Sequence, residues 1–431
     1  MVASRCGLLS NFALMAVCFS VNHGAVTSVL SLAVPLLGPV AGPYSSGTLY
    51  ICYAVTALFL STPIMSFLGT RNALIVGTAL YCVYVASFPV GLFATSGHSD
   101  GWCKDGTIDA GCADPHNVPL IIIAIAGGVV GGFAAGFLWS AQGAYFTCTA
   151  KLYAAASKEA EEAAAGQLME ESEEDAAAHD LDRVTKATGM LASIFATIFL
   201  SCEVLLKLLA FALKSIEVND FKLGNLFVTI VYSGLALCSV AGLFFVADLD
   251  KNGPLARLIA RCRAQRAGAA SESALLSESN DAEAAAATEE ESCGAPCFRA
   301  FLAKAVASVT LWFKDPKVLL LNPIQIAFGC CAALLGYEVS GVAIGAAFGT
   351  NAVQVVGLMS AATAATAALL QLPFAFVARR VGKPPLMLLG LSAFVALASI
   401  CLAATEGQLG TWAFIVPCYL LQVSLFVSLF V

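Results

Sequence analysis

Residues 118–146 read VPLIIIAIAGGVVGGFAAGFLWSAQGAYF, without one charged side chain. A run of ~20 mostly apolar residues crosses a bilayer as a helix, and only helices or closed barrels satisfy their backbone groups in lipid. The same pattern recurs at 8–36, 46–68, 72–94, 187–213, 222–247, 318–346, 351–377, 384–404 and 411–431, so about ten transmembrane helices are expected. Composition agrees: 59% of residues are hydrophobic and 12% charged, whereas a soluble domain carries about 25% charged residues. The fold class is therefore an all-α polytopic membrane protein, with the lipid bilayer as its solvent and first partner.

The charges lie between these spans, and their distribution orients the chain. With the N-terminus in the cytoplasm, Arg71, Lys151, Arg183, Lys186, Arg257, Arg261, Arg263, Arg266, Arg379, Arg380 and Lys383 fall inside; Lys104, Lys214 and Lys222 fall outside. This is the positive-inside pattern. The net charge of −7 comes from two low-complexity loops. The first, 157–183, carries Glu159, Glu161, Glu162, Glu170, Glu171, Glu173, Glu174 and Asp175. The second lies within 248–317 and is rich in Ala, Glu, Ser and Arg; both are expected to be largely disordered. Residues 298–317, with Phe298, Phe301, Leu302 and Trp312, fit an amphipathic surface helix. The second loop divides the chain into an N-terminal six-helix bundle (1–247) and an incomplete C-terminal bundle (318–431).

An internal repeat accompanies that division. Pro63 is followed by the turn Gly69-Thr70-Arg71; Pro373 is followed by Arg380-Val381-Gly382-Lys383. Each half thus ends one span on Pro, then Gly and cations in a tight turn, as in folds built from related halves.

The fourth span carries the most specific pattern. Leu138-Trp139-Ser140-Ala141-Gln142-Gly143-Ala144-Tyr145 resembles the Trp-Thr/Ser-Ala-Gln-Gly-x-Tyr signature of the Unc-ninety-three-like branch of the major facilitator superfamily. Leu68-Gly69-Thr70-Arg71-Asn72-Ala73-Leu74 and Tyr81-Cys82-Val83-Tyr84 extend the resemblance over 45–153. The Arg380 turn is similar to the facilitator pattern Asp-Arg-x-Gly-Arg/Lys, with Arg379 at the Asp position; the Arg71 turn has no Asp either. The resemblance implies a major-facilitator-type two-bundle fold of twelve helices. Because the sequence stops at Val431 within an apolar run, a truncated chain is expected. It also implies one of two activities: secondary transport of a small solute by alternating access, or a non-transporting role as regulator or trafficking partner of an ion channel or membrane receptor.

The residues of that span also have a reading of their own. Gly128, Gly132 and Gly136 recur on one helix face and admit a close neighbour. Trp139 and Tyr145 suit an interfacial belt. Gln142 is costly in lipid and should face protein or a cavity.

Other polar groups interrupt the spans. Glu203 and Lys207 share a helix face, either turned to the bundle interior or with Lys207 snorkelling outward. Asn22-His23 interrupt the first span, as an interhelical contact or a protonatable cavity residue. Asn322, Gln325 and Glu338 punctuate the seventh. His23, Gln142, Glu203, Lys207, Gln325 and Glu338 are the candidate cavity-lining residues.

The loop 95–118 holds Cys103 and Cys112, a possible disulfide on the oxidising side; the spacing of its His and Asp residues does not support a metal site. Most other cysteines, of 16 in all, lie in apolar runs and act as small apolar residues. No nucleophile–base pair, phosphate loop or metalloprotease motif occurs, so neither enzymatic activity nor a cofactor is expected. No basic stripe with aromatics suits nucleic acid.

Overall fold

The computed structural model describes residues 5–95, 117–165, 173–215, 217–218, 221–222, 224–249, 306, 310, 313–314, 326–327 and 329–430. Nearly all of them are helical. Helices α1 (Arg5–Ser31), α2 (Ala33–Leu68), α3 (Thr70–Thr95), α4 (Val118–Ala165), α5 (Glu173–Ser215) and α6 (Asn225–Leu243) precede the central loop. Helices α7 (Gly329–Phe348), α8 (Ala352–Val381), α9 (Lys383–Ala403) and α10 (Trp412–Phe430) follow it. Among the described residues, 9 helices are long and apolar enough to span a membrane, and Trp412–Val423 adds a shorter apolar segment. A small hairpin, β1 (Glu217–Val218) with β2 (Phe221–Lys222), joins α5 to α6.

Four glycines with positive φ set the tight turns. Gly38 (φ 85, ψ 172) breaks α2 and is followed by Pro39; Gly69 (φ 75, ψ 169) ends it. In the second half Gly349 (φ 49) lies between α7 and α8, and Gly382 (φ 83, ψ 170) between α8 and α9. Gly38, Gly69 and Gly382 occupy a region essentially reserved for glycine. The chain therefore reverses on a single residue at Gly38.

Inside the first half, α4 is the packing centre. Gly128, Gly132 and Gly136 lie against the α2 backbone at Ser45, Leu49 and Ala57, while Gly127 and Gly131 admit Ser87 and Tyr84 of α3. A methyl at any of them would meet a neighbour at less than contact distance. Without water there is no hydrophobic force between helices, so such close van der Waals approach is what holds them. Opposite Gly136, α2 opens into a π-helical turn, Thr56–Leu60.

Of the insert 157–183, residues 157–165 and 173–183 are helical, while 166–172 lie outside the described residues. α4 continues to Ala165 and α5 begins at Glu173. Extending an existing helix avoids the nucleation cost, and Ala and Glu are good helix formers. Lys158 Nζ reaches Asp180 at 3.1 Å, and Arg183 reaches the same carboxylate at 3.1 Å. The side chains are 38% and 50% exposed for Lys158 and Asp180, so the pair is weak support. Most of the central loop and of the expected surface helix 298–317 lies outside the described residues, as do Cys103, Cys112, Asn322 and Gln325.

Candidate functional site

The site begins with a close crossing of α1 and α5. A Cβ at Gly24 would collide with Leu206, so the glycine lets the two helices approach at the level of their polar groups. There, Lys207 Nζ donates to Glu203 Oε1 at 2.7 Å; the side chains are 13% and 7% exposed. Lys207 does not snorkel away from its partner. The titratable groups that act on Glu203 are Lys207 and, from α1, His23.

His23 sits among aromatic rings. Trp139 of α4 lies 4.9 Å from it edge-on, Phe199 of α5 5.3 Å and Phe19 6.0 Å, both stacked, and Tyr81 of α3 6.4 Å. Its Nδ1 is buried with no hydrogen-bond partner. The interhelical contact expected of this pair is made by its neighbour. Asn22 Nδ2 faces Ser239 Oγ (3.0 Å), the Ala236 and Thr78 carbonyls (3.3 and 3.4 Å) and Cys82 Sγ (3.5 Å). Asn22 ties α1 to α3 and α6, leaving the imidazole beside the ion pair.

Beyond Lys207, a crevice runs between α1, α5 and α8, lined by Ser28, Ser31, Gly357 and Ser360. It straddles the two halves of the molecule. Contacts between the halves gather at this end: Gly357 lies against the Lys207 carbonyl and Ala210, Gln354 Nε2 donates to Ser215 Oγ at 3.4 Å, and Gly341 of α7 meets Val34.

The structure thus brings together His23, Glu203, Lys207 and Trp139. Gln142 is 8% exposed on α4. Glu338 stands apart in α7, half-buried in a π-helical stretch, Leu335–Ala343, and its charge acts on Cys401 of α9. Among the described residues, no cluster of three or more His, Cys, Asp or Glu side chains is arranged to hold a metal ion.

The signature residues differ from an interfacial belt. Tyr145 is 0% exposed and Trp139 packs on His23, so neither is a lipid-facing anchor. Tyr145 belongs to a clamp on the end of α6. Its hydroxyl donates to the Ala247 carbonyl at 2.8 Å and accepts from Asn11 Nδ2 at 2.6 Å, while the Ala247 N–H donates to Asn11 Oδ1 at 2.7 Å. Arg71 adds Nε to the Val246 carbonyl at 2.6 Å and Nη2 to the Phe244 carbonyl at 2.7 Å. These carbonyls lie just past the end of α6, where no further helical turn pairs them, and a cation there also meets the dipole favourably. In the second half the Arg380 guanidinium lies 4.5 Å from the Phe376 ring. Gly143 borders open space, so close packing does not require it.

No family model and no curated protein sequence matches the chain. Solved structures do. A partially occluded inward-open form of the xylose transporter XylE from E. coli aligns with a TM-score of 0.52 at 12% identity, covering 98% of this chain and 84% of that one. A D-xylose-proton symporter aligns at 0.51 and 11% identity, over 99% and 80%. An inward-open form of XylE gives 0.52 and 11%, over 98% and 80%. At this distance the likeness is one of fold: the chain has the two-bundle fold of major facilitator transporters.

Proposed function

We propose that the protein is a secondary transporter of a small solute, working by alternating access around His23, Glu203 and Lys207. The observation that carries this reading is the buried Glu203–Lys207 pair, placed where α5 meets both α1 and α8. A charged group costs about 2.5–3.5 kcal/mol or more at a membrane centre, so such groups mark pathways and relays by default. The fold supports it, because these folds rock one bundle against the other around a midplane site. The test is exchange of a small-molecule mixture by the purified protein in liposomes, read by mass spectrometry. Saturable accumulation that is lost in Glu203→Gln is expected. No exchange of any constituent, with a membrane protein co-purifying in fixed ratio, would overturn the reading in favour of a regulator or trafficking partner.

Assignment to the Unc-ninety-three-like branch rests on Trp139, Gln142, Gly143 and Tyr145 within their signature. The N-terminus is assigned to the cytoplasm because Arg71, Lys151, Lys186 and Arg380 share the side opposite Lys222. The sequence contains no Asn-x-Ser/Thr site. A single one introduced into 96–116 should therefore be glycosylated in microsomes, and one beside Arg71 should not. The reverse result would invert the topology.

A further inference from the structure

We infer that His23 is a proton-binding site that competes with Lys207 for Glu203, so that one proton taken up from water loosens the buried ion pair. The proton site stands without the transporter reading above; only its use in a transport cycle rests on it.

A neutral imidazole has one bare nitrogen, which is both an acceptor and a base. In His23 the buried Nδ1 has no hydrogen-bond partner, while the ring as a whole is only half-buried. Phe199, Glu203 and Lys207 follow one another at four-residue steps and so share one face of α5. His23 stacks on the first at 5.3 Å, and Lys207 Nζ donates to the second at 2.7 Å. Glu203 therefore stands one turn from the ring that carries the imidazole, between two basic groups. Among the described residues it hydrogen-bonds only Lys207, through Oε1, so its other oxygen is open to a second donor. Gly24, next to His23, permits this approach: a Cβ there would meet Leu206 and lie 3.7 Å from the Cys202 carbonyl.

Charge decides what the proton does. With His23 neutral, the Glu203–Lys207 pair is neutral overall and Lys207 has the carboxylate to itself. A hydronium ion that gives its proton to Nδ1 forms one N–H bond and leaves water behind; no covalent bond of the protein breaks. The carboxylate acting on the new imidazolium is Glu203. One carboxylate then serves two cations, and the cations repel each other strongly in a low-dielectric setting. Glu203 is drawn toward the imidazolium and its hold on Lys207 weakens. The stacked rings of Phe19 and Phe199 favour the cation as well, because a π face attracts positive charge. The titratable and charged groups facing His23 are Glu203 and Lys207 of α5 and Tyr81 of α3. Trp139 of α4 and Phe19 of its own helix do not ionise. The Lys207 carbonyl meets Gly357 of α8, so the exchange takes place where the two halves touch.

Trp139 makes the event visible, since its ring lies 4.9 Å from the imidazole and an imidazolium quenches indole fluorescence more strongly than a neutral imidazole. The test is a pH titration of tryptophan fluorescence in the purified full chain in detergent, with no solute added. The chain has 4 Trp, and the component missing from Trp139→Phe belongs to Trp139. That component should be quenched as pH falls, with the steepness of a single proton, and should not respond in His23→Gln or His23→Phe. Glu203→Gln should weaken proton binding by about tenfold or more, which moves the midpoint down by about one pH unit, because Lys207 then faces the site unopposed. Lys207→Met should strengthen it by a similar factor, and Lys207→Arg, which keeps the cation, should leave the midpoint in place. A histidine that only fills space among aromatic rings gives no such opposed shifts. Absence of an acid-quenched Trp139 component in the unaltered protein, a comparison that needs only Trp139→Phe to fold, would overturn the proposal. Coincident midpoints in Glu203→Gln and Lys207→Met would do the same. A titrating His23 in a protein that moves no solute in liposomes keeps the switch and removes the transporter; solute flux with His23 silent does the opposite.

Discussion

Asn22 shows how one buried amide can leave a neighbouring group unpartnered. Its NH2 has only two hydrogens, yet four acceptors surround it, from the Ser239 hydroxyl at 3.0 Å to Cys82 Sγ at 3.5 Å. Two of these are carbonyls, so the amide nitrogen, not its oxygen, must point at them. Its Oδ1 is left without a partner. Replacing Asn22 with Ala removes the link from α1 to α3 and α6, a loss of about 0.5–1.5 kcal/mol per hydrogen bond. A lowered midpoint of thermal unfolding in detergent is expected; an unchanged midpoint would show that the amide carries no net stability. At this scale the sequence was legible where chemistry is local. Glu203 and Lys207 are one turn apart, so their pairing follows from spacing. The clamp of Asn11, Arg71 and Tyr145 on Phe244–Ala247 joins residues distant in sequence, and no spacing rule announces it.

At the scale of elements, apolar length located the spans well, because a membrane helix must be long and uninterrupted to satisfy its amides. Periodicity of small residues found the Gly128, Gly132 and Gly136 face. It missed the second face, Gly127 and Gly131, since adjacent glycines blur into one run. Length alone also could not register the π-turns at 56–60 and 335–343, which depend on what packs opposite. The repeat Gly69/Gly382 was visible as Gly beside cations; its companion Gly38/Gly349 was not, because no charge marks those turns. The shared conformation of Gly69 and Gly382, ψ 169 and 170, gives an expectation. Gly382→Ala forces a side chain into that region at a cost of about 1–3 kcal/mol. The ideal methyl itself meets only Pro384, at 3.6 Å, so the penalty is backbone strain and not a clash. Gly143→Ala, in open space, is the matched control. Reduced yield of folded protein for the first and not the second is expected; equal yields would show that the turn tolerates another conformation.

For the whole molecule, the described contacts between halves cluster at one end. Val34 meets Gly341, Ser215 meets Gln354, and the Lys207 carbonyl, with Ala210, meets Gly357, all toward the Gly38 and Gly349 turns. That end is closed, with α5 on α8 and the α1–α2 junction on α7. Under the topology proposed above it faces away from the cytoplasm. Alternating access requires these contacts to part once per cycle. Bundles move as rigid bodies because packed cores are bistable and not continuously deformable, so fixing one point at this end should hold the entire end shut. Ser215 and Gln354 suit that purpose. Their side chains already meet at 3.4 Å, Ser215 is exposed and Gln354 half-buried, and they lie outside the ion pair. In Ser215→Cys with Gln354→Cys, oxidation should stop solute exchange in proportion to the fraction cross-linked, and a reductant should restore it. Substrate binding from the opposite face should survive the cross-link, because the route from that side is left open. Undiminished exchange by fully cross-linked protein would mean that this end never opens, and the rocking mechanism would have to be given up even if transport itself is real.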